Sequence, residues 1–176
     1  MKLQQQLKST IRDIPDFPKK GILFRDVTPI LKNPKLCRNI VEDIYNKFSK
    51  KKINAIVGVE SRGFLFGMML AQRFDVPFII VRKAGKLPYQ TISYEYNLEY
   101  GSAKIETHID DIQAGWNVII HDDLLATGGT AAATAQLVRM QKATVAGFAF
   151  IIELNFLNGK KNIQKFSKNI VSLVKY

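Results

Sequence analysis

Apolar residues along the chain fall into two styles, stripes at helical spacing and short unbroken runs. Leu3, Leu7, Ile11 and Ile14 sit at helical spacing and predict a short amphipathic N-terminal helix that Pro15 ends. After Asn33 and Pro34, a helix-start pair, Leu36, Cys37, Ile40, Val41, Ile44, Tyr45 and Phe48 make a wide apolar stripe. The solid runs at 55–59, 77–81, 118–120 and 145–154 have the branched composition of strands buried on both faces. Helices are predicted from near Phe64 and from Ala131 to Met140, so strands and helices alternate as in an α/β fold with a mainly parallel central sheet. Two stretches, 91–96 and 102–108, alternate apolar with polar and predict an antiparallel excursion from that sheet, and 170–174 supplies a final edge strand.

Between the N-terminal helix and the first stripe, Pro15, Pro18 and Gly21 predict a fixed-shape loop over residues 15–26, neither a helix nor a central strand. Phe24 in that loop is either core or a ring offered to something flat. The 176 residues suffice for one well-cored domain and not for two. No run approaches the ~20 apolar residues of a membrane span, and no signal-peptide core leads the chain, so a cytoplasmic protein is expected. The lone Cys37 lies on the apolar stripe as a small core residue and excludes an internal disulfide.

The formal net charge of +11 raises nucleic acid, an anionic membrane and an anionic small substrate as partners. Lysines (19) outnumber arginines (7) and are spread along the chain, without the aromatic-interleaved basic segments of nucleic-acid binders. The charge therefore speaks for solubility and for collecting a polyphosphate rather than for reading bases.

Chemistry concentrates after the strand at 118–120, in His121-Asp122-Asp123-Leu124-Leu125-Ala126-Thr127-Gly128-Gly129-Thr130. Two glycines between threonines at a helix N-terminus form a phosphate cradle of backbone N–H groups. Neither a Walker lysine nor G-x-G-x-x-G spacing is present, which speaks against nucleoside triphosphates and dinucleotides. Asp122 and Asp123 would repel a phosphate and suit sugar hydroxyls, so the stretch describes a ribose 5-phosphate site. Glu60-Ser61-Arg62-Gly63 repeats the strand–polar turn–helix arrangement, with Arg62 free to pair with Glu60 or to meet a phosphate. Arg82, Lys83 and Lys86 put three cations within five residues at another strand's carboxyl end. His121 is expected as a hydrogen-bonded residue behind the acids, and His108 as a flap or surface residue.

These motifs resemble the type I phosphoribosyltransferase family and, through Leu-Leu-Ala-Thr-Gly-Gly-Thr, its adenine phosphoribosyltransferase group. Supporting segments are Pro15-Asp16-Phe17-Pro18 with Gly21-Ile22-Leu23-Phe24-Arg25-Asp26, the Glu60–Gly63 turn, Arg82-Lys83-Ala84-Gly85-Lys86-Leu87-Pro88 and Leu98-Glu99-Tyr100-Gly101. Glu60 departs mildly from a position that is often Asp, and His121 stands where relatives commonly have Val. The resemblance implies one domain over 1–176, with an N-terminal helix and base-binding hood at 1–33 and a flexible flap at 84–110.

It also implies conversion of adenine and 5-phosphoribosyl 1-pyrophosphate (PRPP) to AMP and pyrophosphate, with Mg²⁺ held largely through PRPP and water and no residue assigned as a metal ligand. Phe24 and Leu154 would pack the two faces of adenine while backbone groups of Leu23 and Arg25 read its edge. Asp122, Asp123, Ala126, Thr127, Gly128, Gly129 and Thr130 would hold the ribose 5-phosphate. Ser61, Arg62, Arg82, Lys83 and Lys86 would hold the pyrophosphate, and Glu99 and Tyr100 would be the catalytic pair, with Glu99 as acid/base. A homodimer is expected, with no nucleic acid or membrane partner. Two rivals are a PRPP-sensing regulator that binds nucleic acid without turnover and a transferase for another purine. Intact catalytic segments and the absence of an added DNA-binding domain count against the first, while the second turns on a few hydrogen bonds in the hood.

Overall fold

Helix α1 (Leu3–Thr10) leads into a two-stranded antiparallel hairpin, β1 (Arg12–Pro15) and β2 (Leu23–Asp26). There follow α2 (Pro34–Phe48), β3 (Ala55–Val59), α3 (Gly63–Phe74), β4 (Phe78–Lys83), β5 (Thr91–Asn97), β6 (Ser102–His108) and β7 (Asn117–Leu125). Helix α4 (Gly129–Met140), β8 (Thr144–Glu153), α5 (Lys160–Ile163) and β9 (Ile170–Lys175) complete the chain. This computed structural model describes residues 2–97 and 101–176.

The main sheet runs β5-β6-β4-β3-β7-β8-β9, with β4, β3, β7, β8 and β9 parallel. Strand β3 is buried along its whole length because both sheet faces are covered. Residues of α1, α2 and α3 pack with Ile56 and Ile119 on one face, while α4 and α5 pack with Val57, Val118 and Ile120 on the other. Successive residues of a strand point to opposite faces, so one apolar run serves both layers. Asn33 caps α2 by accepting from the Leu36 N–H at 3.0 Å, with Pro34 in the first turn.

One expectation is corrected. The N-terminal helix stops at Thr10 instead of running to Pro15. Ile11 already has extended dihedrals (φ −61°, ψ 130°), and Ile14 lies in β1 opposite Phe24. A proline disfavours helical geometry in the residue before it, so Ile14 joins the hairpin although its spacing also suits a helix. The segment at 15–26 is neither a helix nor a central strand, as expected; its end forms a short strand, β2, which stays apart from the main sheet. The alternating stretches at 91–97 and 102–108 form the expected antiparallel pair, β5 with β6, and β6 joins it to the sheet by pairing antiparallel with the end of β4, Arg82 opposite Glu106 and Lys83 opposite Ile105.

Candidate active site

Strands β3 and β7 are parallel neighbours with Gly58 opposite His121, so the turn after one and the polar end of the other meet at their carboxyl ends. Between them lies a cavity of about 190 Å³ lined by Glu60, Ser61, Arg62, Asp122, Asp123 and Leu124. Strand β7 is longer than its apolar core suggested, and Asp122 is still paired with Phe150 of β8. The acids are therefore fixed by the ladder rather than carried on a loop. Gly63 lets α3 begin hard against β7; a Cβ there would lie 2.9 Å from the His121 carbonyl and 3.1 Å from Asp122 Oδ1.

Asp123 is almost fully buried and accepts a hydrogen bond from Arg62 Nε at 2.5 Å. Asp122, half-buried, accepts from the Asp123 N–H at 2.8 Å. Burial first, and the Asp123 charge second, push the Asp122 carboxyl well above the usual carboxylate range. The Arg62 guanidinium also lies 5.1 Å from the centre of the Phe24 ring, and so joins the hood to the acid pair.

Glu60 gathers the basic segment. Its Oε1 accepts from Arg82 Nη2 at 3.0 Å and Lys86 Nζ at 2.9 Å, and its Oε2 from the Lys83 N–H at 2.9 Å. These donors, Arg82 foremost, hold the Glu60 carboxyl down at about 2. Arg62, for which Glu60 was one candidate partner, pairs with Asp123 instead. Glu106 accepts the Lys86 and Leu87 N–H groups, each at 3.0 Å, and fixes the loop from the β6 side.

The cradle follows β7 directly. Gly128 has φ +80°, the left-handed region that glycine enters at no steric cost, and a Cβ there would lie 2.5 Å from the Gly159 carbonyl. Helix α4 starts at the next residue, which aims its first unpaired N–H groups at the loop. Asn162 Nδ2 donates to the Thr127 carbonyl at 2.7 Å, and the Thr130 hydroxyl lies 3.0 Å from the Tyr96 hydroxyl. Ala126 is half-buried and Thr127 exposed.

In the hood, Phe24 packs edge-on to Phe17 with centroids 5.1 Å apart, and Leu23 is exposed. The Arg25 side chain is occupied by Asp13 and lies 3.9 Å over the Tyr176 ring. Leu154 packs on the α1–α3 side after β8, and its N–H donates to the Leu125 carbonyl at 2.9 Å. His121 is fully buried, with Nδ1 donating to the Ala149 carbonyl at 2.9 Å, and burial lowers it to about 4. His108 ends β6, with Nδ1 3.1 Å from Asp111 and Nε2 2.8 Å from the Pro88 carbonyl. Glu99 and Tyr100 lie outside the described residues. The sequence reading passed over Tyr96, Asn162 and Glu106. Tyr96 stood in the alternating strand, but nothing in the pattern pointed it at the cradle.

An acid pair, a glycine-bent anion cradle and a basic segment at the carboxyl ends of adjacent parallel strands define a phosphoribosyl-handling α/β protein. Residues 26–174 match the family model described as the phosphoribosyl transferase domain. The chain belongs to the adenine phosphoribosyltransferase group of that family. It is 48% identical over 174 residues to the adenine phosphoribosyltransferase of Cytophaga hutchinsonii, covering 99% of this chain and 96% of that one. The enzyme of that name from a Synechococcus strain is 51% identical over 170 residues, 97% and 98% of the two chains. Among solved structures, adenine phosphoribosyltransferase from Thermoanaerobacter pseudethanolicus superposes with a TM-score of 0.94 at 47% identity, covering 99% and 100% of the two chains. The Saccharomyces cerevisiae enzyme, solved with an imino-altritol bisphosphate and adenine, gives 0.90 at 42%, covering 97% and 98%.

Proposed function

We propose that the chain is a pentosyltransferase that converts adenine and PRPP to AMP and pyrophosphate in purine salvage. The observation that supports this reading is the single Arg62 side chain, which donates to Asp123 and lies 5.1 Å from the centre of the Phe24 ring, so that the acid pair and the hood stand beside one another. In the reaction the bond from the anomeric carbon to pyrophosphate breaks and a bond to adenine N9 forms. Positive charge grows on the ribose as the leaving group gains negative charge, so fixed groups of opposite sign on each side lower the barrier.

Asp122 and Asp123 hold the ribose hydroxyls beside the developing cation, and Ala126, Thr127, Gly128, Gly129 and Thr130 hold the 5-phosphate. Ser61, Arg62, Arg82, Lys83 and Lys86 take the pyrophosphate. Arg82 and Lys86 exchange part of their contact with Glu60 for that anion, and Glu60 keeps them aimed until it arrives. Phe24 and Leu154 sandwich the adenine ring, and backbone groups of Leu23 and Arg25 read its edge. Glu99 takes the N9 proton, with Tyr100 beside it in sequence.

Among the described residues no group of three or more His, Cys, Asp or Glu gathers as a metal shell. Asp123 is already committed to Arg62, leaving Asp122 to reach a cation through ribose oxygens or water. That donor set fits Mg²⁺ delivered with PRPP better than a resident ion. When bound, the cation neutralises pyrophosphate charge.

One domain spans 1–176, with the hood at 1–33 and the flap at 84–110. A homodimer in the cytoplasm is the expected working form. Exposed Leu65 and Met68 on α3 offer apolar surface for the first, and the buried, unpaired Cys37 suits the second. Incubation with PRPP, Mg²⁺ and each free base tests the reading: AMP forms with adenine, and comparable product from guanine or hypoxanthine contradicts the specificity.

A further inference from the structure

The cradle is gripped from outside as well as presented inward. Tyr96, half-buried on β5, places its hydroxyl 3.0 Å from Thr130 Oγ1, and its ring lies 3.7 Å from where a Cβ on Gly129 would stand. Asn162 Nδ2 holds the Thr127 carbonyl from α5. A cavity of about 180 Å³ lies beside the Tyr96 ring, lined also by Tyr94, Gln136, Asn162 and Phe166, which leaves the ring room to move. Strand β5 thus touches the phosphate loop by one polar contact whose direction is open, since either hydroxyl can donate.

We infer that Tyr96 is a positioning residue that reports occupation of the Thr127–Thr130 cradle to strand β5, an inference that rests on the phosphate reading of that loop. A hydroxyl carries one hydrogen. When an anion sits in the cradle, Thr130 gives its hydrogen to the phosphate oxygen, because a charge-assisted bond outcompetes a neutral one. Thr130 Oγ1 is then only an acceptor toward Tyr96, whose O–H must donate. The chain from Tyr96 through Thr130 to phosphate becomes unidirectional, and each bond polarises the next. With the cradle empty, the two hydroxyls exchange roles and the brace is looser. Tyr96 stands three positions ahead of Glu99 in sequence, so the strand tightened by the phosphate is the one that leads to the proposed acid/base. Packing of the ring on Gly129 would survive loss of the hydroxyl; the reporting would not.

Amide hydrogen exchange with saturating ribose 5-phosphate tests this in wild type and Tyr96→Phe. In wild type, exchange should slow at 127–130 and, by about threefold or more, at 91–97. In Tyr96→Phe the cradle should still be protected while 91–97 exchange as in the free protein. Steady-state kinetics should show the KM for PRPP raised about fivefold in Tyr96→Phe, with the KM for adenine within about twofold of wild type. Thr130→Val should raise it as well, and the double variant should be no worse than Thr130→Val alone. Protection at 127–130 without any at 91–97 in wild type, or equal protection of 91–97 in Tyr96→Phe, overturns the inference and leaves the cradle assignment standing. No protection at 127–130 overturns both. Should Tyr96→Phe not fold, the wild-type comparison of 91–97 with 127–130 decides alone.

Discussion

Arg62 Nε donates to Asp123 Oδ2 at 2.5 Å across 61 residues of sequence, and this bond ties the β3–α3 turn to the end of β7. The Asp123 side chain is only 4% exposed, so Arg62 is the counter-charge of a carboxylate that water barely reaches. Arg62→Ala should therefore lose stability as well as pyrophosphate binding. The Arg62 side chain is itself 41% exposed, which limits the loss to about 1–2 kcal/mol. In a chain of this size that lowers Tm by roughly 2–8 °C, readable by calorimetry, with the KM for PRPP raised. Arg62→Lys should recover charge but little of the geometry, because the bond to Asp123 uses the guanidinium Nε.

Glu60 provides the pH test. Its carboxyl lies at about 2 in the folded protein, against 4.5 for an unperturbed glutamate, because Arg82, the Lys83 N–H and Lys86 all favour the charged form. A depressed folded value means that the stabilisation is complete above about 4.5 and drains away as pH falls toward 2. Glu60→Gln should flatten the fall in unfolding free energy over that window relative to wild type. It should also free Arg82 and Lys86 at neutral pH. Urea unfolding at successive pH values checks the first consequence; an equally steep fall in the variant contradicts it.

Asp122 carries the opposite sign. Its carboxyl is raised by burial and by the neighbouring Asp123 charge, so the folded state favours the protonated form and is destabilised as pH rises and the group ionises. Asp122→Asn should raise Tm at pH 7 while weakening PRPP binding, the trade expected where a site keeps a charge that folding disfavours. Paired melting and KM measurements check it, and a lower Tm contradicts the account of the acid pair.

The order of solid apolar runs and helical stripes was enough to read a parallel α/β sheet, and β3 sits at 55–59 as its composition demanded. Local pattern also located the glycine-bent turn before α4, since left-handed Gly128 and the helix start at Gly129 are neighbours in sequence. Partner identity was not legible, because it depends on which strands end up side by side. Arg62 faced Glu60 two residues away in the chain, yet it turns to Asp123 because β3 lies beside β7, while Glu60 turns to Arg82 because β4 lies on the other side. Tyr96 was hidden for the same reason: an alternating strand shows which residues share a face but not which helix that face meets.

Glu99 is assigned the proton from adenine N9 on the resemblance of its segment. Glu99→Gln should lower kcat by ~10²-fold or more while leaving adenine and PRPP binding near wild type. Single-turnover AMP formation with both substrates saturating separates chemistry from binding, and full turnover in the variant removes Glu99 from that role.

A crystal structure of the complex with AMP tests the centre of the account, a pocket that holds one sugar by carboxylates at its hydroxyls and by amide hydrogens at its phosphate. The 5′-phosphate should rest on residues 126–130, the ribose hydroxyls on Asp122 and Asp123, and the adenine ring on Phe24. A phosphate bound instead at Glu60–Arg62 or at Arg82–Lys86, with the 126–130 loop left empty, would contradict it.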